Sequence, residues 1–164
     1  MFNKTLVLCA FAGIAAIAAA QPDVRVEPAH LEGPRILADQ TATAVVENYI
    51  ESWKSLNEAM EQNRPGLLDR DFVGAARDKL AATIDQQAKL GLTASYKDRS
   101  HDIQIVFYSP EGLSIELTDD VEYEIQVHDK DKVLATQPVH ERYIVVLTPT
   151  EVRWRVRVMQ AAAR

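Results

Sequence analysis

The chain is poor in the residues that carry strong local chemistry. A single cysteine, Cys9, stands among its 164 residues. It lies inside an apolar run near the N-terminus, so disulfides, thiol nucleophiles and zinc–thiolate centres are excluded from everything beyond that run. Glycine is also scarce, with six residues and no cluster. No phosphate-cradling loop, dinucleotide fingerprint or serine-nucleophile elbow is present. The four histidines, His30, His101, His128 and His140, show no metal-ligand spacing. Neither a metal nor a cofactor is expected, and each histidine reads as solvated or locally hydrogen-bonded. Basic residues are outnumbered 18 to 24, for a net charge of −6. An acidic domain repels phosphate backbones, so nucleic acid is not an expected partner.

What is present begins with Lys4 and an uncharged stretch from Leu6 to Ala20, ending in Ala18-Ala19-Ala20. The stretch is short of the ~20 residues a membrane-spanning helix needs. A positive start, an apolar centre and small residues at the end make an export signal, with cleavage expected after Ala20 and no stable membrane span afterwards. Leu8 precedes Cys9 where a lipobox wants a small residue, so Cys9 reads as part of the apolar run. Residues 1–20 are thus expected to be a signal peptide, residues 21–38 a flexible tether, and residues 39–164 one domain. The destination is periplasmic or extracellular. The tether reading rests on Pro22, Pro28, Pro34 and Gly33 and on the lack of any period.

Helical periodicity starts at Asp39. Ala42, Val46, Tyr49, Trp53, Leu56 and Met60 recur at alternating spacings of four and three, which aligns them on one face of a helix over residues 39–62. Asn63-Arg64-Pro65-Gly66 ends it. A short helical turn is expected near Leu67. Phe72, Ala76, Leu80, Ile84 and Ala88 then define a second helix over residues 71–90, with Asp69 or Asp71 as its cap and Gly91 as its terminator. From Thr93 the period falls to two. Ile103, Ile105 and Phe107, then Leu113 to Val127, then Val139 to Leu147, then Val152 to Val158 alternate with polar residues. Turns are expected at Ser109–Gly112, Asp129–Lys132 and Thr148–Glu151. A single phase pairs Phe107 with Ile115, Ile125 with Ala135 and Val145 with Trp154. The fold class is therefore α+β, with two or three N-terminal helices packed on one face of a curved four-stranded antiparallel meander.

Helices first, then a long curved sheet, with Val45-Val46-Glu47-Asn48-Tyr49-Ile50-Glu51-Ser52-Trp53 in the first helix and Val152-Arg153-Trp154-Arg155-Val156 at the end, resembles the nuclear-transport-factor-two-like superfamily over residues 39–160. Within it the chain looks most like non-enzymatic exported branches. Examples are the intermembrane-space domain of plastid-division proteins and the periplasmic domains of conjugation-machinery proteins. It lacks the small hairpin that interrupts the helices of ketosteroid-isomerase-like members. The resemblance implies a ligand space between the helices and the concave face, and homodimers through the opposite face.

The uniform phase points Asp119, Tyr123 and Tyr143 toward that ligand space. A buried carboxylate abstracts protons and a phenol donates to an enolate oxygen, as in isomerases. Equally, a bend at Thr118-Asp119-Asp120 turns Asp119 to water and leaves the tyrosines as core. The outer face is expected to carry Tyr108, Glu116, Arg142, Ile144, Arg153, Arg155 and Arg157, either as a solvated ion lattice or as a docking face for a second copy or an envelope protein. The leading expectation is an exported, non-enzymatic binding or assembly module. The alternative is a small-molecule isomerase or lyase, or a lipophile binder, using the concave interior.

Overall fold

A computed structural model of the chain describes residues 21–31 and 33–163. The expected export signal at residues 1–20 lies outside the described residues. The elements run β1 (Asp23–Val26), α1 (Asp39–Gln62), a 3-10 turn (Pro65–Arg70), α2 (Gly74–Lys89), β2 (Thr93–Tyr108), β3 (Ile115–Asp129), β4 (Lys132–Pro149) and β5 (Trp154–Ala161). The sheet has five strands in the order β1-β2-β3-β4-β5. Strands β2 to β5 form the expected antiparallel meander. The fifth strand comes from the stretch expected to be a flexible tether. Residues 23–26 pair in parallel with Ser100–Ile103 on the β2 edge. The backbone of Glu27 and His30 extends the attachment to Ile103 and Ile105.

The helix α1 has the expected bounds, and its apolar stripe is the centre of the core. Tyr49, Trp53, Leu56 and Met60 are all buried. They meet Ile103 and Ile105 of β2, Leu117 and Val121 of β3, and Val145 of β4, all buried in the same cluster. Burying side chains of this size contributes about 1.5–3 kcal/mol each. Gly91 takes φ +70°, the left-handed conformation that ends α2, as its position predicted.

The second helix starts three residues later than expected. Residues 71–73 pair instead with β5: Val73 N–H donates to the Val156 carbonyl at 2.9 Å, and Val156 N–H donates to the Asp71 carbonyl at 2.8 Å. This covers the free edge of β5, a protection that exposed sheet edges need. Asp71 consequently does not cap α2. Its buried carboxylate accepts from Ser55 Oγ, from Arg70 Nε at 2.8 Å and from Arg153 Nη1 at 2.5 Å, tying α1, the 3-10 turn and the approach to β5 together.

The single phase of the sheet is corrected by bulges. Pairing along β2 skips Arg99 and Val106. Inward side chains are therefore Tyr96, then His101, Ile103 and Ile105, then Tyr108. Ile115 faces Tyr108, and Phe107 faces Glu116. Pairing on β4 skips Leu134, so Ala135 faces Val127 and Ile125 faces Gln137. The turn before β5 spans Thr150 to Arg153, and pairing on β5 skips Arg157, so Val145 faces Met159 in place of Trp154. Each bulge adds one residue and flips the faces beyond it.

Replacing Asp71 with Ala leaves Ser55 and two guanidinium groups without their shared acceptor. The expected loss is about 2–3 kcal/mol, below the usual range for breaking a buried pair because Arg70 and Arg153 retain some water. Urea denaturation of the Asp71→Ala variant against Arg142→Ala, whose ion pair is exposed and worth under about 1 kcal/mol, measures the difference.

Candidate functional site

Three elements converge on one carboxylate in the concave interior. The helical stripe brings Tyr49 from α1, the shifted phase of β2 brings His101, and β3 brings Asp119. All three are 0% exposed. Tyr49 donates its hydroxyl to Asp119 Oδ2 at 2.8 Å, and His101 Nδ1 lies 2.7 Å from the same oxygen. The other imidazole nitrogen, Nε2, stands 3.8 Å from the carboxylate of Asp98. Burial alone pulls His101 toward the neutral form. The hydrogen bond to Asp119 and the nearby charges of Asp119 and Asp98 outweigh it and raise its pKa to about 9. At neutral pH the ring is thus a cation, and Nδ1–H donates to Asp119. Burial, with the charge of Asp119, pushes Tyr49 well above the ordinary phenol range, so its hydroxyl keeps its proton.

Trp53 seals this group. Its ring lies 5.3 Å from His101 on one side and 5.4 Å and 6.0 Å from Tyr123 and Tyr143 on the other. Beyond it, between α2 and the sheet, lies a cavity of about 180 Å³ lined by Trp53, Leu56, Leu80, Tyr96, Tyr123 and Tyr143 among others. The Tyr123 and Tyr143 hydroxyls are 3.1 Å apart. The three residues expected to point inward do so, yet not into one space. Tyr123 and Tyr143 line the cavity, while Asp119 lies behind Trp53 with His101. The bend that would have turned Asp119 to water does not occur.

His101 was missed as a partner. It is buried and bonded 18 residues away, not locally. The signal was its register: two and four residues before Ile103 and Ile105, it shares their inward phase. His128 is likewise bonded at a distance in sequence, its Nε2 lying 3.0 Å from Ser95 Oγ, 33 residues away on the paired strand. Among the described residues no group of three or more His, Asp or Glu side chains stands where it can hold a metal ion.

On the outer face, alternation and register keep Glu116, Arg142, Ile144 and Arg155 where they were expected. Arg142 Nε bonds Asp120 Oδ1 at 2.9 Å. Three residues leave that face. The bulge at Val106 turns Tyr108 inward, where it is buried against Trp154 with ring centroids 6.4 Å apart and lies under Arg35. Arg153 precedes β5 and reaches Asp71. Arg157 is the bulged residue of β5 and leans on the start of α2, its Cγ 3.5 Å from where a Cβ would stand on Gly74.

Comparison with solved structures decides the architecture. The chain aligns with the intermembrane space region of the chloroplast protein ARC6 at TM-score 0.64 and 16% identity, over 80% of this chain and 100% of that one. It aligns with a scytalone dehydratase candidate from Novosphingobium aromaticivorans at TM-score 0.52 and 13% identity, over 77% and 89%. It aligns with Aln2 from a Streptomyces species at TM-score 0.51 and 12% identity, over 78% and 94%. The chain shares with these structures a cone-like α+β fold. No family model and no curated protein sequence matches the chain. At 12–16% identity the likeness is one of fold, which leaves the activity open.

The buried cation of the cone makes stability depend on pH. The folded pKa of His101 is raised, so its contribution is fully present below the unfolded value near 6.5 and disappears as pH rises through about 9. The groups facing it are Tyr49 on α1, Asp98 on its own strand and Asp119 on β3. The unfolding free energy from urea titrations between pH 6 and pH 10 is expected to fall by an amount on the order of a few kcal/mol. In His101→Gln that fall flattens.

Proposed function

We propose that this is an exported, non-catalytic assembly module that docks through the outer face of its sheet, in the first place on a second copy of itself. The observation that carries the reading is the pattern of that face. Ile144, Val146 and Val158 form a half-buried apolar strip, with Val146 paired to Val158 and Ile144 beside Thr118, while the helices occupy the opposite side. Asp120 and Glu122 of β3 stand opposite Arg142 and His140 of β4, the first pair an ion pair and the second 3.4 Å apart, so this charged lattice continues the strip along the same strands. A two-fold docking apposes the same strip on both subunits. The intermembrane space neighbour supports placing such a domain outside a cytosol, as does the expected export signal.

A second reading, a lyase or isomerase working in the cone, is favoured by the Tyr49–Asp119–His101 cluster and by the name of the scytalone dehydratase candidate. It ranks lower because the cluster is wholly buried and Trp53 stands between it and the cavity.

The outer-face reading predicts a concentration-dependent dimer by sedimentation velocity at high micromolar protein. Val146→Asp puts a second carboxylate opposite Glu116 at the centre of the strip and is expected to weaken self-association at least about 100-fold, with an unchanged circular dichroism spectrum. A wild-type protein that remains a monomer overturns it.

A further inference from the structure

β1 is the strand of the sheet that buries no side chain: all four of its residues are exposed. Its backbone holds it to Ser100–Ile103. Its ion pairs, Arg25 with Asp23 at 3.7 Å and with Asp102 at 3.6 Å, join exposed groups and add little. What β1 contributes is cover. Without it the Ser100–Ile103 edge of β2 presents unpaired backbone to any other chain. An enzyme trimming from the N-terminus therefore reaches a weakly anchored strand whose loss uncovers a sheet edge.

The expected cleavage after Ala18-Ala19-Ala20 makes Gln21 the first residue. Only Gln21 and Pro22 then precede Asp23, where β1 begins. Gln21 is exposed, so its side chain has room to fold back on its own backbone nitrogen. A free α-amine titrates at about 7.7–8.0, which leaves a neutral, nucleophilic fraction at neutral pH. A glutamine in first position carries an amide carbon within reach of that amine. Every other glutamine of the chain has its backbone nitrogen locked in a peptide bond.

We propose that the mature chain begins with Gln21 cyclised to pyroglutamate. The neutral amine attacks Cδ of the side-chain amide. A bond forms between the backbone nitrogen and Cδ, the bond from Cδ to the amide nitrogen breaks, and that nitrogen leaves as ammonia with a proton from the amine. No oxidant or further reactant is needed. The lactam carries no titratable amine, so exopeptidases that grip an N-terminal ammonium have nothing to hold. The lead into β1 stays whole, and the β2 edge keeps its cover. The inference rests on the exported reading of the chain and is independent of how the outer face docks.

The test is the intact mass of the full chain, expressed with residues 1–20 in place in an export-competent bacterium, recovered from periplasm or medium and aged at neutral pH. The expected species is residues 21–164 less one ammonia. Gln21→Asn keeps an amide but is too short to close an unstrained ring, and is expected at the full mass of its residues 21–164. An aminopeptidase that removes a residue preceding proline is expected to trim Gln21→Asn and to leave the wild type intact. Wild-type protein that begins at Gln21 and keeps its ammonia overturns the proposal while leaving export standing. A chain recovered uncut, or cut elsewhere, overturns it together with the expected cleavage. Loss of the same ammonia from Gln21→Asn also overturns it, as does trimming of the wild type.

Discussion

A carboxylate with no access to water sits at the centre of this fold, and the surrounding architecture follows from satisfying it. Asp119 belongs to β3, His101 to β2 and Tyr49 to α1, so the cluster joins the sheet to the helix that covers it. An isolated buried carboxylate is prohibitively costly, and a cationic imidazole plus a phenol at 2.7 Å and 2.8 Å offset that cost. The geometry fixes how α1 lies on the sheet. Tyr49 must reach Oδ2 from one turn of the helix, and the next turn then lays Trp53 across the imidazole. Trp53 in turn separates the interior into a charged, closed heart and an aromatic cavity. The buried Asp71 carboxylate, held by Ser55, Arg70 and Arg153, makes a second such tie between α1 and the approach to β5.

This separation bears on function more directly than the outline of the cone does. A general base works when it reaches a substrate proton within hydrogen-bond distance. Asp119 Oδ2 and His101 Nδ1 are bonded to each other and are buried, an arrangement that ties β2 to β3 and, through Tyr49, to α1. The hydroxyls of Tyr123 and Tyr143 line the cavity instead. Perturbed titration accompanies structural ion pairs as well as catalytic ones.

The helices were legible because their signal is local. The spacing of Ala42, Val46, Tyr49, Trp53, Leu56 and Met60 repeats along the helix, and α1 has the bounds that spacing predicts. The sheet was legible as a class and in strand order, but not in register. Register is set by bulges, and a bulge is one extra residue whose cost and benefit are settled by partners far away in sequence. Arg99 and Val106 carry no local mark, yet each reverses the faces after it. The bulge at Val106 places Tyr108 inside and Phe107 opposite Glu116, and the one on β5 takes Arg157 off the outer face. β1 was illegible for a related reason. Its four exposed residues have no period, and they are ordered only by the unpaired edge of β2.

The inward direction of Asp119 survived because it depends on β3 alone, and β3 keeps its alternation from Ile115 to Tyr123 without a break. His101 could have been paired with it from the same logic, since a histidine in phase with Ile103 and Ile105 is committed to the interior and a buried imidazole needs a polar partner. Across the strand pair, the inward carboxylate two positions beyond Leu117 lies within a residue or two of it in register. Reading buried polar residues as pairs that must find each other, before reading them as candidates for catalysis, recovers the heart of this cone from the sequence. It also places Tyr49, His101 and Asp119 together as the tie between the helix and two strands of the sheet.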